Sequence, residues 1–126
     1  MSAREPLLTD RAPAPIGPYS QAMAAGGFLF CSGQVGFDGE GKLAESLEAQ
    51  ARLVMSNIGG LLGAAGLDFG DVVKTTVYLV DMNDFAAVNA VYGESFGAAP
   101  PARTTIAVAG LPRGARVEIE AIALRR

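Results

Sequence analysis

The 126-residue sequence contains no histidine, no tryptophan and a single cysteine, Cys31. Without imidazole, the chain can form neither a Ser-His-Asp nor a Cys-His nucleophile system, and it lacks a ligand of the usual zinc sites. One cysteine cannot form a disulfide within the chain, so nothing indicates a disulfide-stapled secreted domain. Any acid–base chemistry must therefore use carboxylates, tyrosine, lysine, backbone groups or water.

Charged residues are also scarce, at 18% of the chain against about 25% in an average soluble domain. The net charge is −3, and the basic residues are scattered rather than clustered. We therefore expect neither a nucleic-acid partner nor binding to an anionic membrane. Half of the residues are hydrophobic, which excludes a disordered chain, and the length indicates a single domain spanning residues 1–126.

Long apolar runs are absent from the sequence. The longest uncharged stretch, residues 12–37, contains three prolines and five glycines and cannot form a membrane-spanning helix. The first ten residues, MSAREPLLTD, lack the apolar segment of a secretory signal peptide. From these two features we expect a cytoplasmic protein.

Helix-like and strand-like segments alternate along the chain. Apolar residues spaced by three and four predict a long helix over residues 46–65 that ends at Gly66. The segment VVKTTVYLV is rich in β-branched residues and apolar on both faces, which predicts a central strand at 72–80. The other predicted elements are strands at 19–25 and 28–32 joined by a Gly26-Gly27 hairpin turn, a second helix with Asp81 as its N-cap, and strands at 104–109 and 116–124.

This order of elements, ββ-α-β-α-ββ, predicts an α+β fold in which a mixed sheet carries both helices on one face. The opposite face of the sheet would then expose apolar side chains to water, which is unfavourable for a small domain. We therefore expect several copies of the chain to associate and cover this face, in a number that the pattern does not specify.

Two kinds of side chain near the last strands could carry chemistry. Arg103 follows a Pro-Pro turn, where its guanidinium could bind a carboxylate through two parallel hydrogen bonds or form an ordinary surface ion pair. Glu118 and Glu120 lie two residues apart, hence on one face of the last strand, which continues into apolar residues. Such a carboxyl group could have a raised pKa and activate a water, or it could be an edge-strand charge that discourages aggregation.

Four other residues are weaker candidates. Asn89 falls on what we interpret as the buried apolar stripe of the second helix, where it could serve a site or simply bind a neighbouring backbone group. Tyr19 and Ser32 could each be structural or functional. Cys31 has no basic neighbour in the sequence, so we expect an inert thiol.

The candidate residues lie in or next to five sequence blocks that resemble one known family. In order, the blocks are IGPYSQ (16–21), SGQVG (32–36), AGLDFGDVVKTTVYLVDMNDFAAVNAVY (65–92), PART (101–104) and VEIEAIALRR (117–126). Together they strongly resemble the Rid family, also called YjgF, and its RidA branch of reactive-intermediate deaminases. The resemblance extends over nearly the whole chain.

The resemblance implies a chorismate-mutase-like α+β fold that assembles as a homotrimer with clefts between neighbouring subunits. It also implies an enzyme, an imine/enamine deaminase. Its substrates would be reactive 2-imino acids such as 2-iminobutanoate and 2-iminopropanoate, or their enamine tautomers, and its products 2-oxo acids and ammonia. These substrates are unstable products of pyridoxal-phosphate enzymes. Members of the family use no cofactor or metal of their own.

By position, the resemblance assigns Arg103 to the substrate carboxylate and Glu118 to the attacking water or to a proton transfer. Thr105 would also contact the substrate, at a position where many RidA members carry cysteine. We expect threonine to serve there if the position acts through its backbone, and to change substrate range or rate if a thiol tunes the site. The cleft would further be lined by Tyr19, Ser32 and Asn89.

The residues leave two other classes of function open. One is a regulatory protein that binds a small carboxylate in the same cleft without turning it over, and the other is a protein-binding or chaperone-like role on the same trimeric fold. Arg103 fits both catalysis and ligand binding. Glu118 favours catalysis, because an anion sensor gains little from a carboxylate beside its ligand.

Overall fold

The computed structural model describes residues 3–126, which form one six-stranded β-sheet and two α-helices. The strands are β1 (Arg4–Leu7), β2 (Ala22–Ala25), β3 (Phe28–Gln34), β4 (Val72–Leu79), β5 (Ala102–Ala107) and β6 (Val117–Leu124). The helices are α1 (Leu47–Ala64) and α2 (Phe85–Gly93). The strand order in the sheet is β1-β2-β3-β6-β4-β5, and every neighbouring pair is antiparallel except β4 and β5. The predicted mixed α+β fold is therefore confirmed.

Turn and cap residues account for where several elements begin and end. Gly26 and Gly27 have φ values of 58° and 85°, the conformation that a two-residue hairpin turn requires at both positions. The Ser46 Oγ accepts a hydrogen bond of 3.1 Å from the Ala49 backbone N–H and so caps α1. Gly66 has a φ of 76° just beyond the end of α1, which confirms the predicted helix stop.

One strand, β1, is not predicted by the sequence pattern. It is four residues long, contains Pro6 and lies at the edge of the sheet beside β2. Proline is tolerated there because one side of an edge strand needs no hydrogen-bond partner. The strand predicted at 19–25 is also shorter than expected, because residues 19–21 are irregular.

The start of the second helix differs from the prediction. Asp81 accepts a hydrogen bond of 2.9 Å from the Asn83 backbone N–H and caps a short 3₁₀ turn, Met82–Asp84, that precedes α2. The Asp84 carboxylate forms an ion pair of 3.1 Å with the Arg116 guanidinium. The N-cap role predicted for Asp81 therefore holds for the turn and not for α2.

Side chains of β6 alternate between the two faces of the sheet. Val117, Ile119, Ala121 and Ala123 are buried in the core that α1 and α2 complete. Both helices thus pack on one face, as predicted. The intervening residues, beginning with Glu118, point to the opposite face, which we call the helix-free face because no helix within residues 3–126 covers it.

The helix-free face exposes apolar side chains. Phe28 and Phe30 of β3 lie opposite Leu124 and Ile122 of β6, and Ile106 of β5 extends the same face. Phe30 is 43% exposed and Leu124 is 50% exposed. A group of exposed apolar side chains of this kind is typical of an interaction surface. The uncovered sheet face expected from the sequence is therefore present in a single chain.

Gly60, in the last third of α1, allows another segment to approach the helix closely. A Cβ atom at this position would lie 2.1 Å from the Arg11 carbonyl oxygen. Alanine is the better helix former by about 1 kcal/mol, but the steric conflict is larger. We expect Gly60→Ala to lower the free energy of unfolding by about 1–3 kcal/mol in urea titrations.

Gly93, the last residue of α2, provides the matched control. A Cβ atom there would meet no heavy atom within 4 Å. Gly93→Ala should therefore leave stability unchanged or raise it by up to about 1 kcal/mol. Equal effects of the two substitutions would contradict the close approach at Gly60.

Candidate functional site

A cavity of about 650 Å³ lies beside β3 and β6. Its walls come from residues 13–21, from the end of β3 and the residues after it, from residues 112–113 and from the Glu118 side of β6. Tyr19, Ser32 and Glu118, three of the residues identified in the sequence, line this cavity. Its volume suits a small organic ligand.

One buried amide, Gln21, holds the wall formed by residues 13–21. Its Nε2 donates to the carbonyl oxygens of Thr9, Ala12 and Pro13 at 3.0–3.2 Å, and its Oε1 accepts from the Thr9 backbone N–H at 2.9 Å. A buried side chain that satisfies so many backbone groups fixes an irregular segment in place. The sequence does not reveal this role, because the bonds span 8–12 residues and leave no local pattern.

Hydrogen bonds to the wall formed by residues 13–21 position Ser32, and a hydrogen bond within that wall positions Tyr19. The Ser32 Oγ donates to the Ser20 carbonyl oxygen at 2.6 Å, and the Ser32 backbone N–H donates to the Gln21 carbonyl oxygen at 3.0 Å. The Tyr19 hydroxyl accepts from the Ile16 backbone N–H at 3.5 Å, and 52% of Tyr19 is exposed. Both residues therefore present a hydroxyl group next to the cavity.

Glu118 is half-buried on β6, and its carboxyl group lies against the backbone of Gly33. A Cβ atom at Gly33 would be 2.1 Å from the Glu118 Oε2, so only glycine leaves room for this carboxyl position. Burial raises the pKa of Glu118 above its ordinary value, and the charge of nearby Glu120 raises it further. A carboxyl group with a raised pKa in a cavity is suited to exchanging protons with a bound molecule.

The second glutamate of the pair, Glu120, also lines the cavity. Its Oε1 accepts a hydrogen bond of 2.5 Å from the Tyr78 hydroxyl on β4. This hydrogen bond, together with burial, raises the pKa of Tyr78. Tyr78 therefore stays protonated at neutral pH and acts as the donor to Glu120.

The residue predicted to bind a carboxylate, Arg103, lies at the start of β5 and packs beside α2. Its Nη1 donates to the Asn89 Oδ1 at 2.5 Å, and its Cζ lies 4.8 Å from the ring centre of Tyr92 and 5.5 Å from that of Phe85. Within residues 3–126 it forms no ion pair, so the alternative of an ordinary intrachain ion pair is not observed. The two rings and the amide hold the guanidinium while most of its N–H donors stay available.

The prediction that Asn89 lies on the buried stripe of α2 is wrong, because the residue is exposed. Helix α2 turns Val88 and Tyr92 into the core and leaves Asn89 beside that stripe, where its amide meets Arg103.

Thr105 lies two residues beyond Arg103 on β5, hence on the same face of the strand, and is half-buried.

Within one chain the candidate residues therefore form two separate groups. We call them the cavity group (Tyr19, Ser32 and Glu118) and the arginine group (Arg103, Asn89 and Thr105). Glu118 points to the helix-free face, whereas Arg103 packs against α2 on the other face. The chain alone thus does not bring Arg103 to Glu118.

Arg113 also lines the cavity, and the sequence patterns do not identify it. Its φ of 57° lies in the left-handed region, which is uncommon for a residue other than glycine. Its Cζ lies 4.9 Å from the ring centre of Phe37. The available signal was the Pro-Arg-Gly turn a few residues before VEIE, which places a cation near Glu118 in the sequence.

Three further findings concern the cysteine thiol, possible metal ligands and the helices of the described part of the chain. Burial raises the pKa of Cys31 to about 12, so its thiol stays protonated near neutral pH. Among residues 3–126, acidic and cysteine side chains form no group of three or more that could hold a metal ion. No helix in the same range is long and apolar enough to cross a membrane.

Comparisons with known proteins agree with this architecture. A family model described as Endoribonuclease L-PSP matches residues 9–125. The 2-iminobutanoate/2-iminopropanoate deaminase of Mus musculus is 50% identical over 124 residues, which cover 97% of this chain and 92% of that protein. The chain in the crystal structure of RidA from the Antarctic bacterium Psychrobacter has 45% sequence identity to this chain. The match covers 95% of this chain and 98% of that chain, with a TM-score of 0.92. The chain in the crystal structure of E. coli TdcF with bound serine has 40% sequence identity to this chain. The match covers 97% of this chain and 99% of that chain, with a TM-score of 0.91.

The family model and these relatives extend over nearly the whole chain. They agree with the resemblance carried by the five sequence blocks. The chain therefore belongs to the Endoribonuclease L-PSP family, which is the Rid (YjgF) family.

Proposed function

We propose that the protein is an enzyme that hydrolyses reactive 2-imino acids, such as 2-iminobutanoate and 2-iminopropanoate, and their enamine tautomers to 2-oxo acids and ammonia. The observation that carries this proposal is the half-buried carboxyl group of Glu118, whose raised pKa suits it to proton exchange inside a cavity. The Mus musculus relative, at 50% identity, is named for this activity and supports it.

In this proposal the site is completed between copies of the chain. The apolar helix-free face requires cover, and the arginine group and the cavity group lie apart in one chain. A homotrimeric ring, in which each copy presents its arginine group to the cavity group of the next, meets both requirements. In a ring, each contact joins two different surfaces of the chain, and the arginine group and the cavity group lie on two different surfaces. The ring closes after a fixed number of copies.

Arg103 would bind the substrate carboxylate. A guanidinium matches a carboxylate through two parallel hydrogen bonds, which fix both the position and the orientation of the substrate. The Asn89 amide and the rings of Phe85 and Tyr92 hold the guanidinium before the substrate arrives. Such preorganisation reduces the entropy lost on binding.

Glu118 would then move the protons of the hydrolysis. As water adds to C2 of the imine, the protonated carboxyl group gives its proton to the imine nitrogen and takes one from the water. The product is a tetrahedral intermediate that carries a hydroxyl and an amino group on C2. Because an imine carbon is already electrophilic, positioning and proton transfer could suffice without a covalent nucleophile.

The remaining residues of the two groups would line the cleft. The Ser32 Oγ uses its proton on the Ser20 carbonyl oxygen, so it can accept a hydrogen bond from a bound water or from the imine N–H. The exposed Tyr19 would cover the substrate from the side of the irregular segment. Thr105, on the same face of β5 as Arg103, would approach the substrate carboxylate or C2 from the neighbouring copy.

Ligand binding without turnover is the second candidate function. It is favoured by the relative from E. coli whose structure contains bound serine, a small amino acid with a carboxylate. Arg103 suits both candidates, whereas a proton-exchanging carboxyl group at Glu118 is needed only for catalysis. The two candidates differ in one measurement, the formation of 2-oxo acid and ammonia.

The first prediction from this proposed function concerns Arg103. Threonine dehydratase generates 2-iminobutanoate, and semicarbazide traps the imine unless it is hydrolysed first. Wild type should suppress semicarbazone formation, and Arg103→Ala should lower kcat/KM by at least about 100-fold, because the substrate carboxylate loses a charge-assisted pair. Arg52→Ala is the matched control, since Arg52 is an exposed arginine paired with Glu48 and Glu94 away from the cavity. Equal suppression by wild type and Arg103→Ala would contradict the assigned role.

A second prediction concerns the space next to the Gly33 Cα atom, which the Glu118 carboxyl group occupies. Gly33→Ala should displace the Glu118 carboxyl group, because a Cβ atom would come within 2.1 Å of its Oε2. We expect kcat to fall by about 10- to 100-fold while the oligomeric state is unchanged. Gly39→Ala should leave kcat at the wild-type value, because a Cβ atom there meets nothing within 4 Å. Wild-type kcat in Gly33→Ala would show that the position of Glu118 does not matter.

A third prediction tests whether the site lies between copies. Arg103→Ala and Glu118→Gln should each be inactive alone, but in refolded mixtures some interfaces contain one intact arginine group and one intact cavity group. Random mixing at equal concentrations should restore about one quarter of the wild-type activity, since a ring contact draws each group from a different copy. A mixture as inactive as its components would contradict a shared site.

A further inference from the structure

Glu120 and Tyr78 form a hydrogen-bonded pair beside Glu118 that the steps above do not use. Glu120 lies two residues after Glu118 on the same face of β6, so their Cα atoms are about 6.6 Å apart. Tyr78 lies directly opposite Glu118 on β4, yet its hydroxyl donates to the Glu120 Oε1 at 2.5 Å. Both carboxyl groups line the same cavity.

The Tyr78 hydroxyl donates its hydrogen bond to Glu120 and not to Glu118, although Glu118 is its direct cross-strand neighbour. A donated hydrogen bond stabilises an ionised carboxylate, and Tyr78 donates to Glu120. Burial raises the pKa of Glu118, and the charge of Glu120 raises it further. Two interacting carboxyl groups in such different surroundings divide the roles of charge and proton donor between them.

Other titratable groups lie around the pair, on β4 and on the remaining walls of the cavity. On β4, the Lys74 Nζ donates to the Thr76 Oγ1 at 3.2 Å, and Thr76 lies directly opposite Glu120. The Lys74 ammonium group therefore lies on the Glu120 side of the pair. The titratable groups on the remaining walls of the cavity are Tyr19, Cys31 and Arg113. Of these, the cysteine stays neutral, and the arginine guanidinium packs on the ring of Phe37.

We propose that Glu120, held by the Tyr78 hydroxyl, is a positioning residue that keeps Glu118 protonated as the proton donor to the leaving amino group. This inference rests on the proposed hydrolysis. Glu118 gives its proton to the amino nitrogen of the tetrahedral intermediate, the C2–N bond breaks, and ammonia leaves with the bonding electron pair. The proton of the C2 hydroxyl passes to Glu118 as the carbonyl forms, so Glu118 ends the cycle protonated.

In the proposed ring, Arg103 of the neighbouring copy opposes the influence of Glu120 on Glu118 while the site is empty. A nearby cation lowers the pKa of a carboxyl group. Once substrate is bound, its carboxylate neutralises the guanidinium. The proton on Glu118 then depends on burial and on Glu120. The pH dependence of kcat, which reports groups in the enzyme–substrate complex, is therefore a sensitive measure.

The test follows the ionisation of Glu118 itself in the full-length protein. Glutamate labelled with ¹³C at the side-chain carboxyl carbon is titrated by NMR, and Glu118→Gln assigns the signal. In Glu120→Gln the Glu118 midpoint should fall by about 0.5 to 2 in pH. Coulomb's law gives this range at effective dielectric constants of about 80 to 20 if the two charges are about as far apart as the two Cα atoms. Tyr78→Phe, which removes one oxygen atom, should shift the midpoint less and in the same direction.

A matched control and a second measurement separate this role from a structural one. Glu40→Gln removes the same charge from an exposed turn and should leave the Glu118 midpoint unchanged. Because the protonated form is the donor, kcat should fall as pH rises through the Glu118 midpoint. In Glu120→Gln that fall should move to lower pH by the amount seen in the NMR titration. A structural defect would instead lower kcat at every pH without moving the profile.

The outcomes distinguish this inference from the proposed hydrolysis. An unchanged Glu118 midpoint in folded Glu120→Gln overturns the inference. If Glu120→Gln does not fold, an unchanged midpoint in Tyr78→Phe overturns it. Shifted midpoints in a protein whose wild type forms no 2-oxo acid support the coupling between the two carboxyl groups and overturn the hydrolysis.

Discussion

The fold and the candidate site both depend on the alternation of side chains along β6. This strand lies between β3 and β4, buries four apolar residues under the helices and presents Glu118 and Glu120 on the other face. Because the side-chain period is two, a shift of one residue in its register would bury both carboxyl groups and expose the core residues. Burying two unpaired carboxyl groups is unfavourable, which disfavours the shifted register. Core packing therefore fixes where Glu118 stands.

Elements with a local signal could be predicted from the sequence, and those that arise from distant pairing could not. Ser46 and Gly66 bound α1 as their residue types indicate, and the turn at Gly26 and Gly27 joins β2 to β3. By contrast, β1 is a short edge strand with a proline, and it becomes a strand only through pairing with β2. Its sequence carries no alternation that could have predicted it.

The candidate site could be predicted as a set of residue types but not as an arrangement. The period-two spacing of Glu118 and Glu120 correctly places both on one face, and the structure adds that they share a cavity. The exposure of Asn89 follows from which face of α2 is buried, the face of Val88 and Tyr92, and residue spacing alone does not reveal that choice. The cavity wall depends on Gln21, whose bonds reach 8–12 residues back along the chain. Such contacts are tertiary and leave no periodic trace.

The separation of Arg103 from Glu118 within one chain has an electrostatic consequence for the proposed reaction. Direct contact would form an ion pair that lowers the pKa of Glu118 and occupies the guanidinium donors. Instead, aromatic rings and Asn89 hold Arg103, while burial beside Gly33 favours protonated Glu118. In the proposed ring the substrate carboxylate enters between the two groups and takes the guanidinium that would otherwise stabilise ionised Glu118. In this proposal, binding of the substrate would favour the protonation state of Glu118 that the proposed hydrolysis requires.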